Sequence, residues 1–274
     1  MLELKVGADP ELFVFKDGSP VSAHGMVNGD KEKPLPVKGG AVQVDGTALE
    51  FNIDPAITAE QFAENIDMVL AQLRGMIPGY DLQLVSSVHF PEEYFNSLPD
   101  VAVRLGCDPD FGAWANGKIN PAPNQQSTTR TAAGHVHVGW SGGMATMDAD
   151  LIGACCTLSK ELDYYLGLPS LLFDPDTSRR KMYGKAGAFR PKPYGMEYRV
   201  LSNAWLKSPE LIKWVFNNTK LAFERLTKEK PVHERAASQD MIVRDMINGK
   251  MKFDGAFIRH LCAIYNIPCP PIAA

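Results

Sequence analysis

Short runs of alternating hydrophobic and polar residues predict a protein rich in β-strands. The runs LELKVGA and ELFVF, within residues 2–15, predict two strands, and AVQVDG followed by ALEFNI predicts a hairpin that turns at the Asp-Gly pair 45–46. Further strand patterns are DLQLVSSVHF at 81–90, AGHVHVGW at 133–140 and GMEYRVLSN at 195–203. The predicted strands are therefore spread over the first three quarters of the chain.

Helical spacing of apolar residues predicts helices between and after these strands. Thr58 and Gln61 form a capping pair, and apolar residues at helical spacing then continue to Pro78. A second helix is predicted over 149–166, where Gly167 and Pro169 should stop it. Three more are predicted near the carboxyl end, beginning at Ser208 and around 238–247 and 255–265.

Four of the predicted strands carry two polar residues at positions i and i+2. Side chains alternate between the two faces of a strand, so each pair lies on one face and the apolar residues lie on the other. If the strands share one sheet, their charged groups converge on a single polar surface. The four pairs are Asp9 with Glu11, Glu50 with Asn52, His135 with His137, and Glu197 with Arg199.

Carboxylates concentrated on one face normally require cations, and oxygen ligands suit Mg²⁺ or Mn²⁺. Zinc would need a third His or Cys close to the imidazoles of His135 and His137. Non-functional explanations of these residues stay open. Glu11 or Glu50 alone could lie on a solvated face of the sheet, and the two histidines could have a structural role.

Between Asp176 and Gly195 the chain is strongly basic. The segment contains six Lys or Arg residues, and an arginine fork binds phosphate oxygens in a bidentate manner. A solvated loop without a ligand is the alternative. No GxxxxGK[ST] or GxGxxG pattern occurs, so a nucleotide would bind without a P-loop or a Rossmann turn. The candidate phosphate ligands are Arg179, Arg180, Lys181, Lys185 and Arg190.

A long irregular stretch over 91–130 is the other functional candidate. Loops of this length in a compact domain are usually functional. Four residues within 108–130 could read a substrate carboxylate, namely Trp114, Asn116, Asn120 and Arg130.

Overall charge and composition exclude several classes of function. The formal net charge is −4, which gives no general attraction for nucleic acid or an anionic membrane. The chain has neither a signal-peptide pattern at its start nor an 18-residue apolar run, and its five cysteines form no CxxC motif. We therefore expect a cytoplasmic protein with reduced thiols and without nucleic-acid or membrane partners.

Four blocks of the sequence together resemble a known family. GADPELFVF, DGTALEFN, AGHVHVGW and RRKMYGKAGAFRPKPYGMEYRVLSNAWL are similar to the phage-associated carboxylate–amine ligases, or amidoligases, of the glutamine synthetase and glutamate–cysteine ligase superfamily. The resemblance spans about residues 5–206. It implies an α+β fold in which a curved antiparallel sheet, as in the glutamine synthetase catalytic fold, carries helices on its convex face.

The resemblance also implies a reaction and roles for individual residues. ATP and Mg²⁺, with Mn²⁺ as an alternative, would activate a small-molecule or peptide carboxylate as an acyl phosphate, which an amine then attacks. Glu11, Glu50 and Glu197 would bind metal, and His137 or His135 would contact metal or nucleotide phosphate. Arg199 would contact the transferring phosphoryl group. Weaker assignments to phosphate binding fall on Arg190 and Lys185.

The same resemblance sets expectations for organisation. One catalytic domain over 1–274 is expected, with its motifs in 5–206 and helices in 208–274. Rings and dimers are common in the superfamily, so a homo-oligomer stays open. A phage-encoded member would act in the host cytoplasm.

Two rival functions stay open at this level. A metal-dependent hydrolase would use the His-x-His strand to activate water, and a third imidazole would come from His24 or His89. A non-catalytic binding protein could keep the same sheet without turnover.

Overall fold

A computed structural model describes residues 3–104, 110–121, 127–141 and 148–271. Cys107 and Asp108, which figured in the predictions above, lie outside the described residues. The strands of the described residues are β1 (Lys5–Lys16), β2 (Ser19–Val21), β3 (Leu35–Val37), β4 (Gly40–Asp45), β5 (Ala48–Ile53), β6 (Asp81–Gln83), β7 (Ser87–His89), β8 (Phe111–Gly112), β9 (Lys118–Ile119), β10 (Thr129–Thr131), β11 (Gly134–Gly139), β12 (Ala188–Lys192) and β13 (Gly195–Tyr198).

The helices of the described residues fall mainly in the second half of the chain. They are α1 (Ala59–Met76), α2 (Glu92–Ser97), α3 (Asp100–Val103), α4 (Ala149–Leu162), α5 (Leu168–Ser170), α6 (Pro209–Leu226), α7 (Val232–Arg235), α8 (Asp240–Ile247) and α9 (Gly255–Ile264). A π-helical turn over Asp163–Gly167 joins α4 to α5, and short 3₁₀ turns occupy Ala113–Ala115, Arg179–Lys181, Asn203–Lys207 and Ala237–Gln239.

One large antiparallel sheet organises the fold, in the strand order β3-β4-β5-β1-β11-β13-β12-β8-β9. The outer half of β1 pairs with β2 and β6, and β7 pairs with β10 in a separate two-stranded sheet. This arrangement confirms the predicted α+β class with an antiparallel sheet.

The first strand is continuous, although the sequence predicted two separate strands. Pro10, which stands between the two predicted strands, lies opposite Gly134 at the end of the β1–β11 ladder. Its missing N–H therefore removes no hydrogen bond from the middle of a ladder. The rest of β1 continues on other partners, with Glu11 and Leu12 paired to β5.

Helices α1, α4 and α6 cover one face of the sheet. Alternate residues of β1, such as Val6 and Leu12, are fully buried beneath them. Phe62 of α1 stacks on Trp205 with ring centroids 5.9 Å apart. The opposite face therefore receives the polar residues, together with a small apolar cluster around Phe13 at its outer end.

The start of α1 is as predicted, since the Thr58 side chain accepts a hydrogen bond from the Gln61 amide at 3.1 Å. The predicted end of the second helix is wrong, because the chain continues helically through Gly167 to Ser170. A Cβ at Gly167 would lie 2.6 Å from the Tyr198 hydroxyl. The glycine therefore allows Tyr198 to pack closely against the helix and does not end it. The predicted strand over 81–90 is likewise wrong in extent, because β6 and β7 pair with different partners.

The carboxy-terminal helices occur where they were predicted, with α7 added between α6 and α8. Ile258 and Leu261 of α9 belong to the same apolar cluster as the residues beneath the sheet. Among the described residues, no helix combines the length and apolar character that a membrane span requires.

Candidate active site

The register of the central strands brings the predicted polar pairs onto one face, named here the polar face. In the β1–β5 ladder Glu11 lies directly opposite Glu50. In the β1–β11 ladder Asp9 lies opposite His135. Residues directly opposite each other share a face, so the pairs of β1, β5 and β11 meet at the centre of the sheet.

The next two strands extend this face. Glu197 of β13 lies between His137 of β11 and Arg190 of β12. Arg199 follows the end of β13, and its guanidinium contacts the Glu197 carboxylate. The structure therefore assembles all four pairs that the sequence singled out.

Three carboxylates form a group that we name the acidic triad, Glu11, Asp45 and Glu50. Their oxygens lie within 4.8 Å of one another. Burial, followed by the charge of Asp45, raises the pKa of Glu11 to about 7. Burial, followed by the charges of neighbouring acids, raises the pKa of Glu50 well above its ordinary value. The triad is therefore short of positive charge.

This donor set fits a hard divalent cation. Three carboxylates offer only oxygen atoms, which suits Mg²⁺ or Mn²⁺ better than a metal that prefers nitrogen or sulfur. The raised pKa values of Glu11 and Glu50 indicate that positive charge, carried by a proton or by a cation, stabilises the acidic triad. One Glu11 oxygen accepts a hydrogen bond from the Ala133 amide at 2.8 Å, which orients the carboxylate.

A second cluster contains Asp9, His135 and Glu197, whose ligand atoms also lie within 4.8 Å of one another. His135 Nδ1 is 3.2 Å from Asp9 and 3.3 Å from Glu197. Burial, with the charge of Arg199, lowers the pKa of His135 to about 4. A neutral imidazole between two carboxylates can serve as a metal ligand.

Glu197 differs from the acidic triad because cations already surround it. Arg190 and Lys192 approach its carboxylate at 3.3 and 3.1 Å, in addition to the Arg199 contact. Burial alone would raise the pKa of Glu197, but the charges of Arg199, His135 and His137 together hold the pKa far below its usual range. Glu197 is therefore ionised and balanced without a metal, whereas the triad is not.

His137 lies next to Asp9, with its Nε2 atom 3.0 Å from the carboxylate. Its Nδ1 atom meets the Tyr194 hydroxyl, and the two rings stack. Burial alone would lower the pKa of His137, but the charge of Asp9, its hydrogen bond and the charge of Glu197 together raise it. Contacts with His137 and His135 hold the pKa of Asp9 well below its usual value, although burial opposes them. His137 is thus an oriented partner of Asp9.

Two residues of the polar face were missed by the sequence reasoning, although their signals were present. Asp45 follows Gln43 at the i+2 position, but it was assigned only to the Asp-Gly turn. Lys192 stands two residues after Arg190 on β12, in a segment taken for a basic loop. Both repeat the alternation that identified the other pairs.

The predicted phosphate cluster is not brought together as a unit. Both terminal nitrogens of Arg179 donate to backbone carbonyls, those of Val200 and Arg199, at 2.9 and 3.0 Å. Arg180 donates to the Ser170 hydroxyl on the helix side of the sheet, away from the polar face. Lys185 lies in the turn before β12, where its carbonyl accepts a hydrogen bond from the Ala188 amide.

The predicted substrate-reading residues have internal partners instead. Trp114 donates to Asp163 at 2.6 Å, and Asn120 donates to Asp110 at 2.8 Å. Arg130 donates to backbone carbonyls, including that of Val103 at 2.6 Å. Asn116 occupies a turn with φ 55°.

Two cavities are lined by different members of the acidic triad. The larger has a volume of about 730 Å³ and is bounded by Gly7, Asp9, Glu50, Ile53 and Tyr194, among others. The smaller holds about 50 Å³, and its lining includes Glu11 and Asp45 together with Arg104, Arg130, Arg179 and Arg199. We name these the large cavity and the arginine cavity. The triad is therefore shared between two spaces of different size and charge.

The two histidines that a hydrolase would recruit lie elsewhere. His89 contacts Thr128 and Thr129 in the two-stranded sheet, and His24 is an exposed turn residue. Within the described residues, neither joins the two acidic clusters.

Comparison with solved structures gives weak overall similarities. A novel glutamine synthase homolog is 15% identical over 96% of this chain and 67% of its own, with a TM-score of 0.40. A bifunctional glutathione synthetase from Pasteurella multocida is 12% identical over 97% of this chain but only 47% of its own, with a TM-score of 0.40. A GmaS/ADP complex is 12% identical over 97% of this chain and 70% of its own, with a TM-score of 0.35. All three TM-scores are below 0.5.

The sequence comparison is more specific. No curated protein matches the chain. Residues 128–253, however, match the family described as phage phiEco32-like COOH.NH2 ligase-type 2. The matched part contains the His strand, the basic segment and the Glu197–Arg199 strand. Over residues 128–253, somewhat less than half of the chain, the sequence is therefore similar to a family of carboxylate–amine ligases.

Proposed function

We propose that this protein is an ATP-dependent carboxylate–amine ligase that forms an amide or peptide-type bond through an acyl phosphate. The observation that carries the proposal is the pairing of an uncompensated acidic triad with a buried arginine on one sheet face. The triad suits the cation of a nucleotide, and Arg199 suits the phosphoryl group that is transferred.

The sizes of the two cavities support a placement for the two substrates. A volume of about 730 Å³ lies in the range of ligand pockets and accommodates a nucleotide. The arginine cavity, at about 50 Å³, offers room for only a few water-sized groups. We therefore place ATP in the large cavity and the carboxylate of the acid substrate on the arginine side of the triad.

The first step is transfer of the γ-phosphoryl group. An oxygen of the substrate carboxylate attacks the γ-phosphorus while the bond to the bridging oxygen breaks, which gives an acyl phosphate and ADP. Charge spreads over the transferring oxygens, and the Arg199 guanidinium stabilises them. The Glu197 carboxylate holds that guanidinium in place from within the sheet.

In the second step the amine attacks the acyl carbon. The carbon–oxygen bond to phosphate breaks, inorganic phosphate leaves, and the amine proton passes to phosphate or solvent.

Glu11, Asp45 and Glu50 would hold the Mg²⁺ ion, and Asp9, His135 and Glu197 offer a second, partly neutralised set. When bound, Mg²⁺ supplies charge stabilisation to the phosphate oxygens and orients them.

The decisive experiment measures ADP release by the purified protein with Mg²⁺, without it, and with pooled amino acids and peptides. Stimulation of Mg²⁺-dependent ADP release by one pool supports the ligase and narrows its substrates. Arg199→Ala and Glu197→Gln should each lower this turnover by about 2–4 kcal/mol of transition-state stabilisation. Absence of nucleotide binding with any metal would refute the ligase. Unchanged turnover in both variants would refute the assigned site.

A further inference from the structure

Residues 110–121 form a short segment that packs against the edge of the sheet beside Arg199, and we name it the bracket. The sequence singled out three of its residues as candidate readers of substrate. In the structure their side chains or backbone fasten the bracket to the rest of the protein.

Several contacts fix the bracket to β12 and to the helices. Gly112 pairs with Ala188, and the Ala113 amide donates to the Gly187 carbonyl at 2.9 Å. Trp114 reaches through to the buried Asp163 carboxylate at 2.6 Å. A Cβ at Gly187 would lie 2.6 Å from the Trp114 ring, so this glycine permits the close packing.

Asp110 stands at the start of the bracket and faces the site. Asn120 clamps it twice, because its side-chain amide donates to the Asp110 carboxylate at 2.8 Å and its backbone amide donates to the Asp110 carbonyl at 2.9 Å. The other carboxylate oxygen is 3.6 Å from Arg199 Nε. Both side chains are nearly buried, with exposed fractions of 10% for Asp110 and 6% for Arg199.

The Arg199 guanidinium is thus held between two carboxylates that belong to different parts of the chain. Glu197 contacts one terminal nitrogen from within β13, and Asp110 faces Nε from the bracket. The Asp110 oxygen lies 3.6 Å from Nε, which is an ion-pair distance, so its negative charge favours one orientation of the guanidinium plane.

We propose that Asp110 is a positioning residue, which orients the Arg199 guanidinium toward the transferring phosphoryl group. The inference rests on the proposed function of Arg199. This proposal also gives the 108–130 region a different role. The bracket, which is part of that region, would orient Arg199 and would not bind the substrate. A misplacement of about 1 Å at a reacting group can cost about a hundredfold in rate.

The first test is kinetic. Asp110→Asn keeps the acceptor for Asn120 and removes the charge, so Mg²⁺-dependent ADP release should fall about tenfold to a hundredfold in kcat while KM for ATP stays within about twofold. Asp110→Glu should recover part of the loss. Asp100→Asn, at an exposed acid of α3, is the matched control and should match the parent.

A double-mutant cycle separates positioning from a general structural effect. In an Arg199→Ala background, Asp110→Asn should cause no further loss, because the group it orients is gone. An equal loss in both backgrounds would overturn the proposal. A rise in KM alone would overturn it too, since it would show that Asp110 binds substrate.

A spectroscopic test does not depend on turnover. In protein labelled with ¹⁵N at arginine Nε, the Arg199 signal is assigned by its loss in Arg199→Lys. Asp110→Asn should shift the resonance of this Nε–H, because the negative charge 3.6 Å away is removed and the guanidinium changes its orientation, and Asp100→Asn should leave it unchanged. An unchanged Arg199 signal in Asp110→Asn refutes the positioning role even if the wild-type protein releases no ADP. Absence of ADP release from the wild type refutes the proposed function alone.

Discussion

Replacing Glu11 by Gln should stabilise the metal-free protein at high pH and weaken its binding of Mg²⁺. Burial and the charge of Asp45 raise the pKa of Glu11 from its ordinary value of 4.5 to about 7. The folded protein therefore binds the Glu11 proton more tightly than the unfolded chain does. Consequently the stabilisation of the folded state by the Glu11 proton is fully present below about pH 4.5 and is lost as the pH rises to about 7.

The size of this effect follows from the pKa values. A change from 4.5 to about 7 corresponds to about 3 kcal/mol, at about 1.4 kcal/mol for each pH unit. Glu11 is only half-buried, so water screens part of this, and we expect about 1–3 kcal/mol. Gln carries no charge at any pH and keeps an oxygen for the Ala133 amide. The gain in stability of Glu11→Gln over the parent should therefore be near zero at about pH 4.5 and reach about 1–3 kcal/mol by about pH 8.

The assay is urea unfolding with EDTA across this pH range, followed by tryptophan fluorescence. Glu64→Gln, at an exposed position of α1, is the matched control and should show little dependence on pH. Added Mg²⁺ should stabilise the parent more than Glu11→Gln, because the variant has lost one ligand charge. Equal destabilisation by Glu11→Gln at low and high pH would refute the reasoning, since it would show that the carboxylate is structural and under no repulsion.

Three further predictions follow from the same structure. Mg²⁺ binding near pH 7 should release protons, because Glu11 and Glu50 have raised pKa values. Calorimetry in buffers of different ionisation enthalpy measures the number of protons released, and binding heats that do not depend on the buffer would contradict the prediction. Gly167→Ala should destabilise the fold by about 1–3 kcal/mol, because its Cβ would meet the Tyr198 hydroxyl. Gly153→Ala on α4 has open space around its Cβ and should stabilise the fold by up to about 1 kcal/mol. Thermal unfolding compares the two variants, and equal effects on stability would contradict the packing argument. Thr58→Ala should cost about 1 kcal/mol through the lost cap of α1, with Thr58→Ser as the conservative control; equal melting temperatures for both would contradict this role.

Local patterns were sufficient for the parts of the fold that depend on neighbouring residues. Alternation along a strand decides which side chains share a face, so the pairs such as Asp9 with Glu11 could be predicted without knowing the partners of the strand. The cap at Thr58 is also local. The end of the helix at Gly167 was predicted wrongly because the reason for that glycine, its contact with Tyr198, lies on another element.

Tertiary structure decided which charges meet. Whether Glu11 faces Glu50 depends on the register between two strands, and alternation within either strand does not specify it. The shortage of positive charge at the triad, and its excess around Glu197, arise only once Asp45 and Lys192 are placed. Arg180 and Arg199 look alike in the sequence, yet one faces the helices and the other faces the site.

By itself, the sequence determined the kinds of groups present and the face on which each strand carries them, because the two-residue period of a strand is a property of the local backbone. The packing of distant segments decided the rest. Asp110 came to Arg199 because Gly112, Trp114 and Asn120 fasten the bracket to β12, to Asp163 and to itself. Such contacts join residues far apart in the chain, and their energies depend on distance and burial that no local pattern contains.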